Sequence, residues 1–185
     1  MTEILEETLK ELEITQREFW NIPRQTGNFL NMLLRMNNSK SVLEIGTSNG
    51  YSGLWILEGL KHTGGHLTTI EYYEKRQSVA VENYEKCGFG GMFTPVIGSA
   101  CEIISEFDQD KKFDFVFIDA NKREYIEYFN LIKPHLLPHA LIVADNVNSH
   151  REKVQPFLDA IISDTDFLTE ILDLPGGLSV SFKVS

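Results

Sequence analysis

The sequence is poor in the residues from which several kinds of site are built. It holds two cysteines, Cys87 and Cys101, in 185 residues. Their spacing is not C-x-x-C, so neither a zinc site nor a disulfide framework is expected. The histidines, His62, His66, His135, His139 and His150, are scattered and read mostly as surface residues. Basic residues are in deficit: 17 Lys and Arg stand against 27 Asp and Glu, for a formal charge of −10. Such a chain is repelled on average by nucleic acid and by anionic membrane surfaces. No apolar run approaches the roughly 18 to 20 residues that cross a bilayer. The acidic, helix-like start "MTEILEETLKELEITQ" differs from a positively charged signal peptide. No Ser/His/Asp or Cys/His arrangement stands out, and there is no repeat, low-complexity tract or linker rich in Pro, Gly or Ser. A cytoplasmic protein folded as one domain over residues 1–185 is the expectation.

What is present is an alternation. Apolar side chains at Ile4, Leu5, Leu9, Leu12 and Phe19 predict a helix over 3–20, and Phe29, Leu30, Leu33 and Leu34 a second over 25–36. From there short strands and helices take turns. Strands are expected at 41–46, 66–71, 93–98, 113–120 and 140–146, with helices at 51–60, 74–87, 100–106, 123–136 and 154–163. "FLTEILDL" and "LSVSFKV" then flank Pro175-Gly176-Gly177, a hairpin signal. Five strand–helix alternations closing on an antiparallel pair imply an α/β fold, with a doubly wound, mostly parallel sheet and helices on both faces. Such sheets bind ligands at the carboxyl ends of their central strands.

Polar residues collect at those ends. In "EIGTSNGYSG" (44–53), Gly46 and Gly50 permit a tight turn and close approach of a ligand, and the following helix offers unpaired N–H groups to a carboxylate or phosphate. The spacing is neither G-x-G-x-x-G nor a P-loop. Glu71 ends the second strand, where an acidic residue accepts hydrogen bonds from ribose hydroxyls; capping of the next helix is the plainer reading of Glu71 alone. Asp119 and Asp145-Asn146 end the fourth and fifth strands, which parallel pairing brings together. Two carboxylates and an amide oxygen suit Mg²⁺, Mn²⁺ or Ca²⁺, against the alternative of helix caps and Asx-turns. Lys122, at the mouth of the same site, is a candidate base. His150 is a candidate for the acceptor pocket. Tyr51, Tyr72 and Tyr73 could stack on a ligand or simply pack.

In "VLEIGTSNGYSGLWI", "LTTIE", "FDFVFIDANKREY" and "ALIVADNV", taken in order, the chain resembles the cation-dependent O-methyltransferases, the group of catechol and caffeoyl-CoA O-methyltransferases. The similarity runs from about Ile22 to the C-terminus. It implies a Rossmann-like core over 39–185 behind a helical segment at 1–38, with S-adenosylmethionine as methyl donor. By position, Glu44, Gly46, Thr47 and Ser52 would hold the donor's amino acid portion, Ser52 through its carboxylate. Glu71 would bind the ribose, Tyr72 pack on the adenine, and Ser99 and Ala100 line the adenine edge. Asp119, also beside the donor, joins Asp145 and Asn146 as metal ligands, with Mg²⁺ or another divalent cation acting as a Lewis acid on the acceptor oxygens; Lys122 corresponds to the general base. Asn121 stands where many relatives carry an acid, and the segment after Asn146 is short, which bears on the acceptor and not on the donor. The implied acceptor is a small catechol-like or hydroxylated aromatic compound. Two alternatives stand beside it. One is a hydroxylated uridine in transfer RNA, which Lys122, Arg123, Lys133, Arg151 and Lys153 would have to attract against the net charge; the other is a donor-binding protein without activity. Family relatives also suggest a homodimer.

Overall fold

The computed structural model describes residues 1–185. Seven strands form one sheet in the order β3-β2-β1-β4-β5-β7-β6. They are β1 (Ser41–Ile45), β2 (His66–Glu71), β3 (Phe93–Ile97), β4 (Phe113–Ile118), β5 (Leu136–Asp145), β6 (Phe167–Leu172) and β7 (Leu178–Lys183). The first five run parallel, and β7 is antiparallel to both β5 and β6. The chain builds outward from β1 to β3, then returns to lay β4 on the other side of β1. That reversal opens a crevice beyond the carboxyl ends of β1 and β4, where open α/β sheets bind ligands.

Strand parity sorts the apolar residues between two cores. Leu43, Ile45, Val116 and Ile118 face one side of the sheet, while Val42, Phe115 and Phe117 face the other. All seven are fully buried. Each such side chain contributes roughly 1.5–3 kcal/mol by leaving water, before the entropic cost of ordering it. Against the first side pack α6 (Ala100–Ser105), α7 (Tyr125–Ile132) and α8 (Arg151–Ser163). The second is covered by α1 (Glu3–Ile14), α3 (Arg24–Met36), α4 (Tyr51–Thr63) and α5 (Glu74–Lys86).

Several boundaries differ from the sequence expectation. The helix predicted over 3–20 stops at Ile14 and restarts as a single turn, α2 (Gln16–Phe19). The Leu12 carbonyl is taken by Thr15 Oγ1 (3.2 Å) and Asn21 Nδ2 (3.0 Å), so side chains end the helix. Trp20 then turns left-handed, at φ 54°. The predicted 123–136 helix is regular only over Tyr125–Ile132, flanked by 3₁₀ turns at Lys122–Glu124 and Lys133–His135. Pro134, with no N–H to donate, ends it. That frees Leu136 to begin β5 early, opposite Phe113, with a register shift before Leu141 joins Phe115. The last helix begins at Arg151, three residues ahead of expectation, and β4 stops at Ile118 rather than 120.

Candidate active site

The crevice is a cavity of about 1070 Å³ at the carboxyl ends of β1, β2 and β4. Its wall on the β1 side is the turn Gly46–Gly50. Gly46 has φ +102°, and a Cβ there would lie 2.3 Å from the Asp119 carbonyl oxygen. Only glycine lets this turn close on the end of β4. Asp119 N–H donates to the Ile45 carbonyl (2.9 Å), tying the two strand ends together.

Glu71 is buried at the end of β2. One carboxylate oxygen accepts from Ser48 N–H (2.8 Å), the other from Tyr73 N–H (3.0 Å). Each oxygen keeps a lone pair for a further donor. Tyr72 stands exposed beside it, and Ser99 and Ala100 complete this side of the cavity. Thr47 and Ser52 line the floor. Glu44, expected among the contact residues, does not line the cavity. It lies beneath the floor, fully buried, accepting from Ser52 Oγ (2.5 Å) and Thr69 Oγ1 (2.6 Å). Burial pushes its carboxyl up to about 7, opposed by those two hydroxyls and assisted by the charges of Asp119 and Glu71.

At the ends of β4 and β5 the predicted polar residues converge. Lys122 Nζ lies 2.5 Å from Asp119 Oδ1, and both side chains are largely covered. Asp145 is buried, and its Oδ1 has no hydrogen-bond partner. Burial, then the neighbouring charge of Asp119, pushes its carboxyl up to about 8. Asn146 follows at φ 63° and lines the cavity with Asp119 and Lys122. No group of three or more His, Cys, Asp or Glu side chains gathers in the chain, so any cation here would rest on two carboxylates and an amide. An orphaned carboxylate oxygen beside a second carboxylate fits such a group, because an unpaired buried charge is costly without a counter-ion.

Tyr125 was not anticipated from sequence. Fully buried, its hydroxyl sits 3.2 Å from the carbonyls of both Ile118 and Asp145 and pins the ends of β4 and β5 at one spacing. Thr69 and Asn49 were also missed. The Asn49 Oδ1 accepts from Tyr51 N–H (3.3 Å), which leaves its Nδ2 a buried donor without an acceptor on the cavity wall.

On the opposite rim, Arg123, His150 and Lys153 line the cavity as expected of His150 and of part of the basic cluster. Lys133 does not join them; it pairs with Asp164 (2.5 Å) and Asp166 (3.2 Å). Arg151 instead bonds Gln155 (2.7 Å). The segment Phe19–Ile22 spans the mouth, with Trp20 exposed and the Arg76 guanidinium 5.1 Å from its ring centroid. Both cysteines are free, and no helix is long and apolar enough to cross a membrane.

The family model described as O-methyltransferase matches residues 1–169. A catechol O-methyltransferase of Niastella koreensis is 37% identical over 123 residues, 65% of this chain and 55% of that protein. Caffeoyl-CoA O-methyltransferase 5 of Nicotiana tabacum is 31% identical over 158 residues, 81% of this chain and 65% of that protein. The chain thus spans between about half and two thirds of the length of these curated relatives. Among solved structures, an O-methyltransferase of Bacillus cereus in complex with SAH superposes with a TM-score of 0.86 at 26% identity, covering 99% of this chain and 91% of that one.

Proposed function

This chain belongs to the O-methyltransferase family, and from that premise we propose that it moves a methyl group from S-adenosylmethionine to a hydroxyl of a small catechol-like or hydroxylated aromatic acceptor, with a divalent cation assisting. The observation that carries the reading is one cavity lined by the turn after β1, the carboxylate ending β2, and the Asp119–Lys122 pair with Asn146. The SAH complex of the Bacillus cereus relative supports the choice of donor.

The residues divide the labour as follows. Glu71 receives the ribose hydroxyls on its remaining lone pairs, and Tyr72, Ser99 and Ala100 enclose the adenine. Asp119, Asp145 and Asn146 would hold the cation, which when bound supplies Lewis-acid stabilisation of the acceptor's oxyanion. Lys122 Nζ, in its neutral amine form, takes the proton of the hydroxyl to be methylated and becomes the ammonium that pairs with Asp119. The freed oxygen attacks the sulfonium methyl carbon; the C–O bond forms as the C–S bond breaks, and its electron pair returns to sulfur. Holding oxygen, carbon and sulfur in line supplies much of the rate.

A small acceptor is favoured over RNA because the cations are local. Arg76, Lys122, Arg123 and Lys153 line the cavity against Glu71, Asp119 and Glu124, while Lys133 and Arg151 are engaged elsewhere. Calorimetric binding of S-adenosylhomocysteine tests the donor assignment. Replacing Glu71 by Ala should weaken it by about ten- to a hundredfold, the worth of charge-assisted hydrogen bonds. Unchanged affinity would remove the assignment.

A further inference from the structure

The charged side chains on the cavity wall are unequally engaged. Asp119 pairs with Lys122, and Glu71 accepts from the Ser48 and Tyr73 N–H groups. Glu124 accepts from Asn121 Nδ2 on one oxygen and from the Tyr128 hydroxyl on the other (2.6 Å each). Burial, then the charges of Glu127 and Glu124, push the Cys101 thiol up to about 12, so Glu124 is turned toward α6. Of the cations lining the cavity, Lys122 has Asp119, and the Arg76 guanidinium lies 5.1 Å from the Trp20 ring centroid and 5.3 Å from that of Tyr73. Arg123 and Lys153 have neither kind of partner: no carboxylate oxygen within 4.0 Å and no ring beneath the charge. Both are exposed and both belong to the end of the cavity away from Glu71. Arg123 follows Lys122 in a 3₁₀ turn, and α8, whose first turn carries Lys153, packs against that turn. Burial, then the charges of Lys122 and Lys153, hold the His150 imidazole below its ordinary range, with Asp119 opposing. Lys122, His150 and Lys153 therefore stand close together.

We propose that Arg123 and Lys153 receive a carboxylate of the methyl acceptor, so that the acceptors this chain prefers are hydroxylated aromatic acids. This rests on the methyl-transfer reading above. There the acceptor's hydroxyls lie at Asp119, Lys122 and Asn146, and the acid group, carried on the rest of the ring, reaches outward to the rim. A neutral catechol leaves both cations unanswered, and a catechol bearing an amine is repelled by them. The start of α8 adds to the same sign, since His150 is its N-cap residue and the macrodipole is positive there. The two side chains act as specificity determinants: they choose among acceptors and take no part in moving the proton or the methyl group. Because they are exposed, their attraction for an anion is modest and is screened by salt.

The test compares two acceptors of one shape: catechol bearing an acetate side chain, and the corresponding acetamide. Methyl transfer to each is measured with Mg²⁺ at low ionic strength and about pH 8, where a carboxylate is ionised. The wild type should favour the acid in kcat/KM by about three- to tenfold, the worth of two exposed ion pairs, and mainly through KM. That preference should fade toward one as ionic strength rises to about 1 M. In the double variant Arg123→Gln, Lys153→Gln the ratio should be near one already at low salt, and Lys153→Glu should turn it in favour of the amide. A wild type that uses the amide as well as the acid, or a double variant that keeps the wild-type ratio, overturns the proposal. If the double variant does not fold, the salt series on the wild type decides, and a preference indifferent to salt overturns it. No product from either acceptor, by protein that binds S-adenosylhomocysteine, would instead overturn the acceptor reading on which the proposal stands.

Discussion

Asp145 is where the cost of the site is concentrated. A buried carboxylate with an unpartnered oxygen, beside Asp119, is held by the fold against its own solvation. Its folded value of about 8 lies above the ordinary 3.8. The protein therefore gains from the protonated form at low pH and loses that stability as pH rises through about 8. Without cation, Asp145→Asn should be more stable than wild type at pH 8, by on the order of 3 kcal/mol, and little different near pH 4. Adding Mg²⁺ or Mn²⁺ should raise the melting temperature of the wild type and leave the variant unmoved. Equal shifts in the two proteins would misplace the metal site. Lys122 belongs to the same scale. Lys122→Met should lower turnover by about 10²- to 10⁴-fold, the range for a general base, with little change in acceptor affinity; equal turnover at matched pH would remove its role.

That these residues would meet was legible because type and place coincide: the ends of neighbouring parallel strands converge on the crevice where such sheets bind ligands. Glu44 was placed by the resemblance among the donor's contacts, not beneath the floor where it lies. Its parity with Val42, on the face covered by α4, carried the further information that its side chain lies under that helix, next to Ser52. Thr69 and Asn49 gave no comparable signal, since a neutral hydroxyl or amide in a strand or turn is ordinary.

Among the elements, the hairpin between β6 and β7 does more than close the sheet. The Gly176 carbonyl accepts from Asn148 and Ser149 N–H (2.9 Å each), and the Gly177 carbonyl from Val147 N–H (3.1 Å). The turn thereby fixes the loop that begins with Asn146. Gly177 has φ +79°, and a Cβ there would come within 2.5 Å of Asn148. Gly177→Ala should destabilise the protein by about 1–3 kcal/mol and shrink the cation-induced rise in melting temperature, because the clash displaces the Asn146 loop. A variant with full cation response would uncouple the hairpin from the site. Periodicity and the Pro-Gly-Gly signal located this hairpin, as they located every strand. What they could not supply was its contact with a loop some thirty residues earlier, which depends on β7 pairing with β5 across the chain order. Helix ends were the least legible feature for a related reason. Leu12 loses its helical partner to Thr15 and to Asn21, whose approach depends on the chain reversing at the left-handed Trp20.

For the whole molecule, the order of strands and helices was enough to predict a doubly wound sheet, because right-handed crossovers leave few alternatives. The reversal between β1 and β4 then gathers residues from six separate stretches into one cavity. An acidic chain of charge −10 presents four cations against three carboxylates on that cavity's wall, so the wall is far less acidic than the chain as a whole. Methyl transfer from S-adenosylmethionine with help from a cation can be read in one assay: labelled donor offered with a panel of catechols, first with Mg²⁺ and then with excess chelator. Labelled ether product should form, vanish with the chelator and return with added Mg²⁺. Product formed equally well in excess chelator, or none from any hydroxylated aromatic by protein that binds the donor, would contradict it.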